Sequence, residues 1–318
     1  IHKRSVLVNC RNVAAKLQNL CRIPVIIVSL LPIYSRMIVL RTKDEIGRYR
    51  KRLRKEGLSL GLVPTMGALH EGHLELVKRA CRENDSVLVT IFVNPTQFNN
   101  PQDLLKYPKT LDTDLGKLKD LDCRISVFAP EVSEMYGASP DARTYDFGNL
   151  EQVMEGVFRP GHFNGVATIV EVLLRLILPD RVYFGEKDYQ QLQVVREMVK
   201  QKEIPVSIVP CPIVRETDGL AMSSRNTLLT NSLRKEAGFL YKMLLEVKNS
   251  FGTKNANEIA EVVREAFEVH PDNKLEYFNI AHAETLRPGG TSDETKQYRA
   301  VIAAYLGGVR LIENLSLN

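Results

Sequence analysis

No Cys-x-x-Cys pair, internal repeat or low-complexity tract occurs in these 318 residues, and no apolar run is long enough to span a bilayer. Those absences set aside zinc ribbons, solenoids and integral membrane proteins. The five cysteines (Cys10, Cys21, Cys81, Cys123, Cys211) are scattered. Their spacing reads as free thiols in a reducing compartment, neither a disulfide framework nor a metal site. Positive charge is also scarcer than its total suggests. The chain carries 43 Lys and Arg against 38 Asp and Glu, but residues 1–36 hold six of the basic residues and no acidic one. The remainder is near neutral, which argues against a nucleic-acid partner. With 44% hydrophobic and 25% charged residues, the composition is that of an ordinary soluble protein of one large or two modest domains.

Residues 1–36 stand apart. Basic and free of acid, they read as a mitochondrial targeting segment or as an extension upstream of a natural start at Met37, in either case poorly ordered. The apolar run from Ile23 to Tyr34 is broken by Pro24 and Pro32 and lacks the placement of a secretory signal.

What is present is an alternation. Leu60–Val63, Ser86–Val93, Ile125–Phe128, Arg181–Gly185 and Pro205–Val209 read as buried strands. Between them, His73–Arg82, Thr110–Leu121, an amphipathic stretch over 166–177 and Asp188–Lys202 read as helices. Strand–helix alternation with short connections predicts a mostly parallel sheet covered on both faces, with ligands at the carboxyl ends of its strands. The character changes near residue 211. Helices over Ser232–Ser250 and 257–268 precede strands at Leu275–Ile280, Tyr298–Leu306 and Val309–Glu313, with Gly307-Gly308 as a hairpin turn. The predicted fold is therefore α/β: a Rossmann-like domain over 37–212 and a smaller α+β lid domain over 213–318.

The candidate chemistry lies at the strand ends. After the first buried strand comes Pro64-Thr-Met66-Gly67-Ala68-Leu69-His70-Glu71-Gly72-His73, which opens a helix. A helix start carries unpaired N–H groups and the positive end of a dipole, so it suits phosphate. Gly67 and Gly72 leave room for close approach, and the imidazoles add donors. A zinc site fails on spacing, because His-Glu-x-x-His needs the second histidine at i+4 and here it stands at i+3. Asn94-Pro-Thr-Gln97 offers neutral amides suited to a small hydroxylated acid. Gly185-Glu186-Lys187-Asp188 then Gln191 places a point charge before a helix, with Asp188 either capping that helix or holding a ribose hydroxyl. Val214 precedes Met222-Ser223-Ser224-Arg225, a compact phosphate clamp. Phe158-Arg159-Pro-Gly-His162-Phe163 adds a further basic loop.

In this order and at these spacings the motifs resemble the pantoate–β-alanine ligases, members of the nucleotidylyltransferase superfamily with its His-x-Gly-His loop. The C-terminal Gly-Gly-Val-Arg-Leu-Ile-Glu-Asn also matches, and the resemblance runs from about Met37 to the end. It implies ATP-dependent condensation of pantoate with β-alanine through pantoyl adenylate, giving pantothenate, pyrophosphate and AMP. It further implies that Met66 to His73 bind ATP, with His70 and His73 on phosphate and His73 the proton donor. Gly185 to Asp188 contact ATP, Lys187 at the phosphates and Asp188 toward the ribose. Val214 meets adenine, Met222 to Arg225 close over the triphosphate, and Gln97 and Gln191 hold pantoate, Gln97 also bordering β-alanine. Mg²⁺ is expected on the ATP phosphates rather than on protein ligands, and a homodimer is expected. The location implied is cytoplasmic, with mitochondrial the alternative that residues 1–36 raise. Rival readings are another adenylyl- or cytidylyltransferase, an aminoacyl-tRNA synthetase, or a non-catalytic nucleotide binder.

Overall fold

Leu62, Leu88, Phe128 and Val182 feed one apolar core, while Val63, Val87, Val89 and Val127 feed another. Neighbouring residues of one strand point to opposite faces, so a strand that is apolar throughout must lie between two layers. The computed structural model describes residues 37–269, 273–289 and 295–318. The expectations for residues 1–36 lie outside the described residues.

In chain order the parallel part runs β1 (Ile38–Leu40), α1 (Lys43–Lys55), β2 (Leu60–Thr65), α2 (Glu71–Glu83), β3 (Ser86–Ile91), α3 (Leu111–Lys119), β4 (Ile125–Phe128), α4 (His162–Ile177), β5 (Arg181–Gly185), α5 (Tyr189–Gln201) and β6 (Ser207–Cys211). The six strands are all parallel, in the order β1-β4-β3-β2-β5-β6. α1, α4 and α5 cover one face through Ile46, Leu53, Leu174 and Val195; α2 and α3 cover the other through Val77, Ala80 and Leu118.

The strand order reverses between β2 and β5, which is where a doubly wound sheet opens a crevice. β5 pairs with β2 only at Gly61 and Leu62. Beyond that the two strands part, and Pro64, which has no N–H for a ladder, falls in the parted stretch. The widened crevice is thus written into β2 itself.

After β6 come α6 (Phe239–Ser250), α7 (Ala256–Glu268) and the antiparallel strands β7 (Asn273–His282), β8 (Tyr298–Leu306) and β9 (Val309–Ser316). Leu240, Leu244, Val263 and Phe267 pack onto Ile280, Ala300, Ile302 and Ala304. A further cluster, with Tyr189 from α5 against Tyr277, Val301 and Ala303, joins the helical layer of the parallel sheet to the second sheet. Gly307 and Gly308 turn the β8–β9 hairpin with φ of +53° and +85°, the two positive values that a two-residue turn with a matching twist requires.

Three sequence readings are corrected here. Cys81 and Cys123 are joined by a disulfide, with Cα atoms 6.0 Å apart, so they are not free thiols. The adjacency of β3 and β4 brings the end of α2 beside the approach to β4, and residue spacing carries no trace of that proximity. The single helix expected over 232–250 is two, Asn231–Glu236 and Phe239–Ser250. They part at Ala237-Gly238, where a side chain on Gly238 would strike the carbonyl of Asp218. The helix expected as amphipathic, α4, begins earlier at His162 and has twelve of its sixteen residues buried, since it lies between the sheet, α1 and α5. The strand–helix reading omits α1, although Thr42 and Glu45 form a reciprocal capping box at its start and Ile46, Tyr49 and Leu53 repeat at helical spacing.

Candidate active site

At the carboxyl ends of β2, β3, β5 and β6 lies a cleft of about 240 Å³. It brings together Met66, His70, Gly72, His73, Gln97, Gly185, Lys187, Asp188, Gln191, Val214, Met222, Ser223, Ser224 and Arg225. Gly67, Ala68, Leu69, Glu71 and Glu186, also read as site residues, are not on its lining. Leu69 is buried in the core between α2 and the sheet, and Glu71 pairs with Lys78 on the surface. Arg159 and His162, left in the sequence as a basic loop, do line the cleft.

The histidine loop is built from the backbone outward. His70 is the N-cap of α2, in extended conformation, and His73 stands three residues into the helix. The His70 N–H donates to Nδ1 of His73 over 3.3 Å, and the two rings lie 4.0 Å apart. A neutral His73 whose Nδ1 accepts must carry its proton on Nε2, free to donate. Burial first, and the Lys187 ammonium next, push His70 down to about 4; burial and then His70 push His73 down to about 3. Both rings are therefore neutral at pH 7. Nδ1 of His70 is buried with no hydrogen-bond partner. A Cβ on Gly72 would lie 2.9 Å from the His70 imidazole, so the glycine makes room for that ring.

Asp114 is a residue that sequence reasoning misses. Fully buried on α3, it accepts from the N–H groups of Ala68 (2.9 Å) and Leu69 (2.8 Å) and from the Thr110 hydroxyl (3.2 Å). Lys117, one turn on, donates to the Leu69 carbonyl. The helix thus grips the loop that presents the histidines. Asp114→Asn sets an amide NH₂ against one of those N–H groups, and we expect about 1–3 kcal/mol lost from unfolding stability, read as a lower denaturant midpoint. An unchanged midpoint would count against the grip.

Gln97 is held by Asn94, whose Nδ2 donates to Gln97 Oε1 over 3.1 Å and to the Gly165 carbonyl over 3.1 Å. The Gln97 amide N lies 2.9 Å from Met66 Sδ. A thioether is a weak acceptor, which a substrate oxygen displaces readily. Asp188 occupies the N-cap position of α5 but makes no capping bond; its carboxylate stands 3.9 Å from the Lys187 ammonium. Arg225 pairs with Asp103 at 2.7 Å. Arg159 pairs with the buried Glu155 at 3.4 Å. Burial works to raise the Glu155 carboxyl, but the doubly bonded Arg310 guanidinium outweighs it and holds the group at about 2. His162 donates from Nδ1 to the Gln97 carbonyl over 2.8 Å and is pushed down to about 4, by burial first and then by Arg159.

Among the described residues, Asp188 is the one carboxylate on the lining of the cleft, against Lys187, Arg159 and Arg225. Among them too, no group of three His, Cys, Asp or Glu could hold a metal ion, and no helix is long and apolar enough to cross a membrane. A switch-point crevice with an imidazole pair at a helix start, a lysine before the next helix and amides alongside defines a phosphate- and nucleotide-binding protein of the His-x-Gly-His class.

Comparison with known proteins narrows the class. Residues 38–316 match the family described as pantoate-beta-alanine ligase. The chain is 49% identical over 282 residues to the pantothenate synthetase of Christiangramia forsetii, covering 89% of this chain and 100% of that one. It is 46% identical over 281 residues to that of Flavobacterium psychrophilum, covering 88% and 100%. The crystal structure of pantothenate synthetase from Thermus thermophilus superposes with a TM-score of 0.81 at 42% identity, covering 88% of this chain and 99% of that one. The pantoate-beta-alanine ligase of Francisella tularensis, complexed with beta-gamma ATP and beta-alanine, superposes with a TM-score of 0.74 at 35% identity, covering 89% and 98%. The chain belongs to the pantoate–β-alanine ligase family, enzymes that join pantoate to β-alanine using ATP.

Proposed function

We propose that the cleft condenses pantoate with β-alanine in two steps. The pantoate carboxylate attacks the α-phosphorus of ATP, and pyrophosphate leaves with the bridging oxygen. The β-alanine amine then attacks the acyl carbon of pantoyl adenylate, loses a proton, and AMP leaves. The observation that carries this reading is the convergence of Gln97, Gln191, Lys187, both imidazoles and Ser223 to Arg225 on one cavity.

The first step brings an anion to a polyanion, so it needs fixed positive charge where the pyrophosphate departs. Lys187 supplies that charge. His73, with its proton on Nε2, donates to a phosphate oxygen, and His70 donates beside it. Ser223, Ser224 and Arg225 close over the triphosphate, for which Arg225 exchanges Asp103 for phosphate. Val214 meets adenine through its backbone and Asp188 faces the ribose. Gln97 and Gln191 orient pantoate without adding charge, and Gln97 borders the β-alanine position. The apolar floor of Val166, Ile169, Val170 and Leu173 keeps water from the mixed anhydride. Mg²⁺ bound with ATP would be held by phosphate oxygens and water and would offset phosphate charge.

Residues 37–212 are read as the nucleotide- and pantoate-binding domain and 213–318 as its lid, a division supported by the two sheets and their separate cores. A homodimer follows from the family resemblance, as does a cytoplasmic location, with mitochondrial the alternative. The testing experiment is pantoate-dependent exchange of pyrophosphate into ATP, followed by AMP release when β-alanine is added. Exchange that requires pantoate is the expected result. Exchange indifferent to pantoate but dependent on a nucleotide acceptor would transfer the site to the nucleotidylyltransferases.

A further inference from the structure

The C-terminal motif Gly307-Gly-Val-Arg-Leu-Ile-Glu-Asn314 is absent from the lining of the cleft, yet its polar side chains each reach a segment that lines it. Arg310 holds Glu155, the partner of Arg159, at 2.6 Å and 3.0 Å. Glu313, buried, accepts from the N–H of Ala221 and from Arg215 at 3.0 Å, next to the Met222–Arg225 strap. Asn314 makes the most direct link. Its amide nitrogen donates to the carbonyls of Glu186 (3.0 Å) and Lys187 (2.8 Å). Its amide oxygen accepts from Arg299 at 2.5 Å, and Arg299 in turn lies 3.9 Å over the Tyr189 ring and 3.3 Å from the Glu186 carboxylate. Two carbonyls on one side and a guanidinium on the other allow the amide a single orientation. Only 1% of Asn314 is exposed, so water cannot substitute for any of these bonds.

We propose that Asn314 is the positioning residue for Lys187, through which β9, an edge strand of the antiparallel sheet, sets the height of the lysine loop at the mouth of β5. Within the loop the other side-chain tie is the Glu186 carboxylate, 3.3 Å from the same Arg299, while Asp188, before α5, makes no side-chain capping bond. Asparagine suits the position because two hydrogens on one planar nitrogen meet two successive carbonyls, which neither aspartate nor a hydroxyl can do. The inference rests on the reading that Lys187 serves the phosphates.

The test compares Asn314→Asp and Asn314→Ala with Leu315→Val, which trims packing on the same strand without touching the loop. Aspartate turns both donors into acceptors facing carbonyl oxygens; alanine leaves the carbonyls unpaired. A displacement of the lysine by about 1 Å is worth roughly 100-fold in rate. We expect kcat for pantoate-dependent pyrophosphate exchange to fall roughly 10- to 100-fold in both Asn314 variants, with the KM for pantoate changed far less. Leu315→Val is expected to lose thermal stability while keeping kcat. Hydrogen–deuterium exchange over residues 185–190 is expected to quicken in Asn314→Ala and not in Leu315→Val, which also covers the case of an aspartate variant that does not fold. Exchange and kcat matching the wild type in Asn314→Ala would overturn the proposal. So would activity in all three variants falling only in step with their stability. If Lys187→Ala itself were fully active, the role of the lysine would be lost, while the exchange measurement would still decide whether Asn314 holds the loop.

Discussion

Lys187→Ala is expected to lower the rate of pantoate-dependent pyrophosphate exchange by roughly two to three orders of magnitude, the scale for removing one preorganised charge-stabilising donor. The lysine side chain is only one-fifth exposed and sits where β5 gives way to α5. There its charge acts in a partly desolvated setting, where it counts for more than it would in water. It also lies near enough to both imidazoles to help hold them neutral. Charge builds on the departing pyrophosphate only as the α-phosphorus is attacked, so the loss is expected chiefly in kcat. Lys187→Arg keeps the charge but spreads it over a planar fork, and is expected to recover only part of the rate. Measured single-turnover formation of AMP would then slow in the same proportion. Wild-type exchange by the alanine variant would remove Lys187 from the mechanism.

The parallel sheet is legible in the sequence because its strands are buried on both faces. Ile125–Phe128 and Arg181–Gly185 stand where their apolar-rich stretches place them. The antiparallel hairpin is legible because Gly307-Gly308 announces its turn. The cleft is legible for a related reason: in a doubly wound sheet, every loop after a strand end faces the same rim, so motifs far apart in sequence converge. What sequence does not disclose is support. Asp114 sits in a helix rich in acids and leucines, and nothing local distinguishes a carboxyl that grips Ala68 and Leu69 from one that faces water. Asn314 reads as a strand-end polar residue until β9 is seen beside Lys187. The pairing of Cys81 with Cys123 depends on the order β4-β3-β2, which no spacing rule contains. α1 is a different kind of omission, because its capping box and its Ile46, Tyr49, Leu53 stripe are there to be read.

His73→Ala is expected to cost a similar two to three orders of magnitude in the same exchange reaction, and it carries a second signature in acid. His73 is neutral in the fold and bonded at Nδ1, so what alanine removes is an Nε2 donor aimed into the cleft. His73→Gln restores a neutral N–H donor that cannot pass on a proton. Recovery by glutamine to within about tenfold would assign His73 to hydrogen bonding of phosphate, whereas two equally inactive variants would assign it to proton transfer. The acid signature follows from linkage. The folded protein holds His73 at about 3 and His70 and His162 at about 4, all below the ordinary 6.5. Between those values the unfolded chain binds protons that the folded chain does not, so unfolding stability falls as pH drops from about 6.5 toward 4. Glu155, held at about 2, gives its own loss at lower pH, below the ordinary carboxylate range. Each such proton contributes a slope of up to about 1.4 kcal/mol per pH unit. Denaturant melts of the free protein between pH 4.5 and 6.5 are therefore expected to be shallower with pH for His73→Gln than for wild type. Equal slopes would mean that the fold does not lower His73, and the acid signature would fail with it.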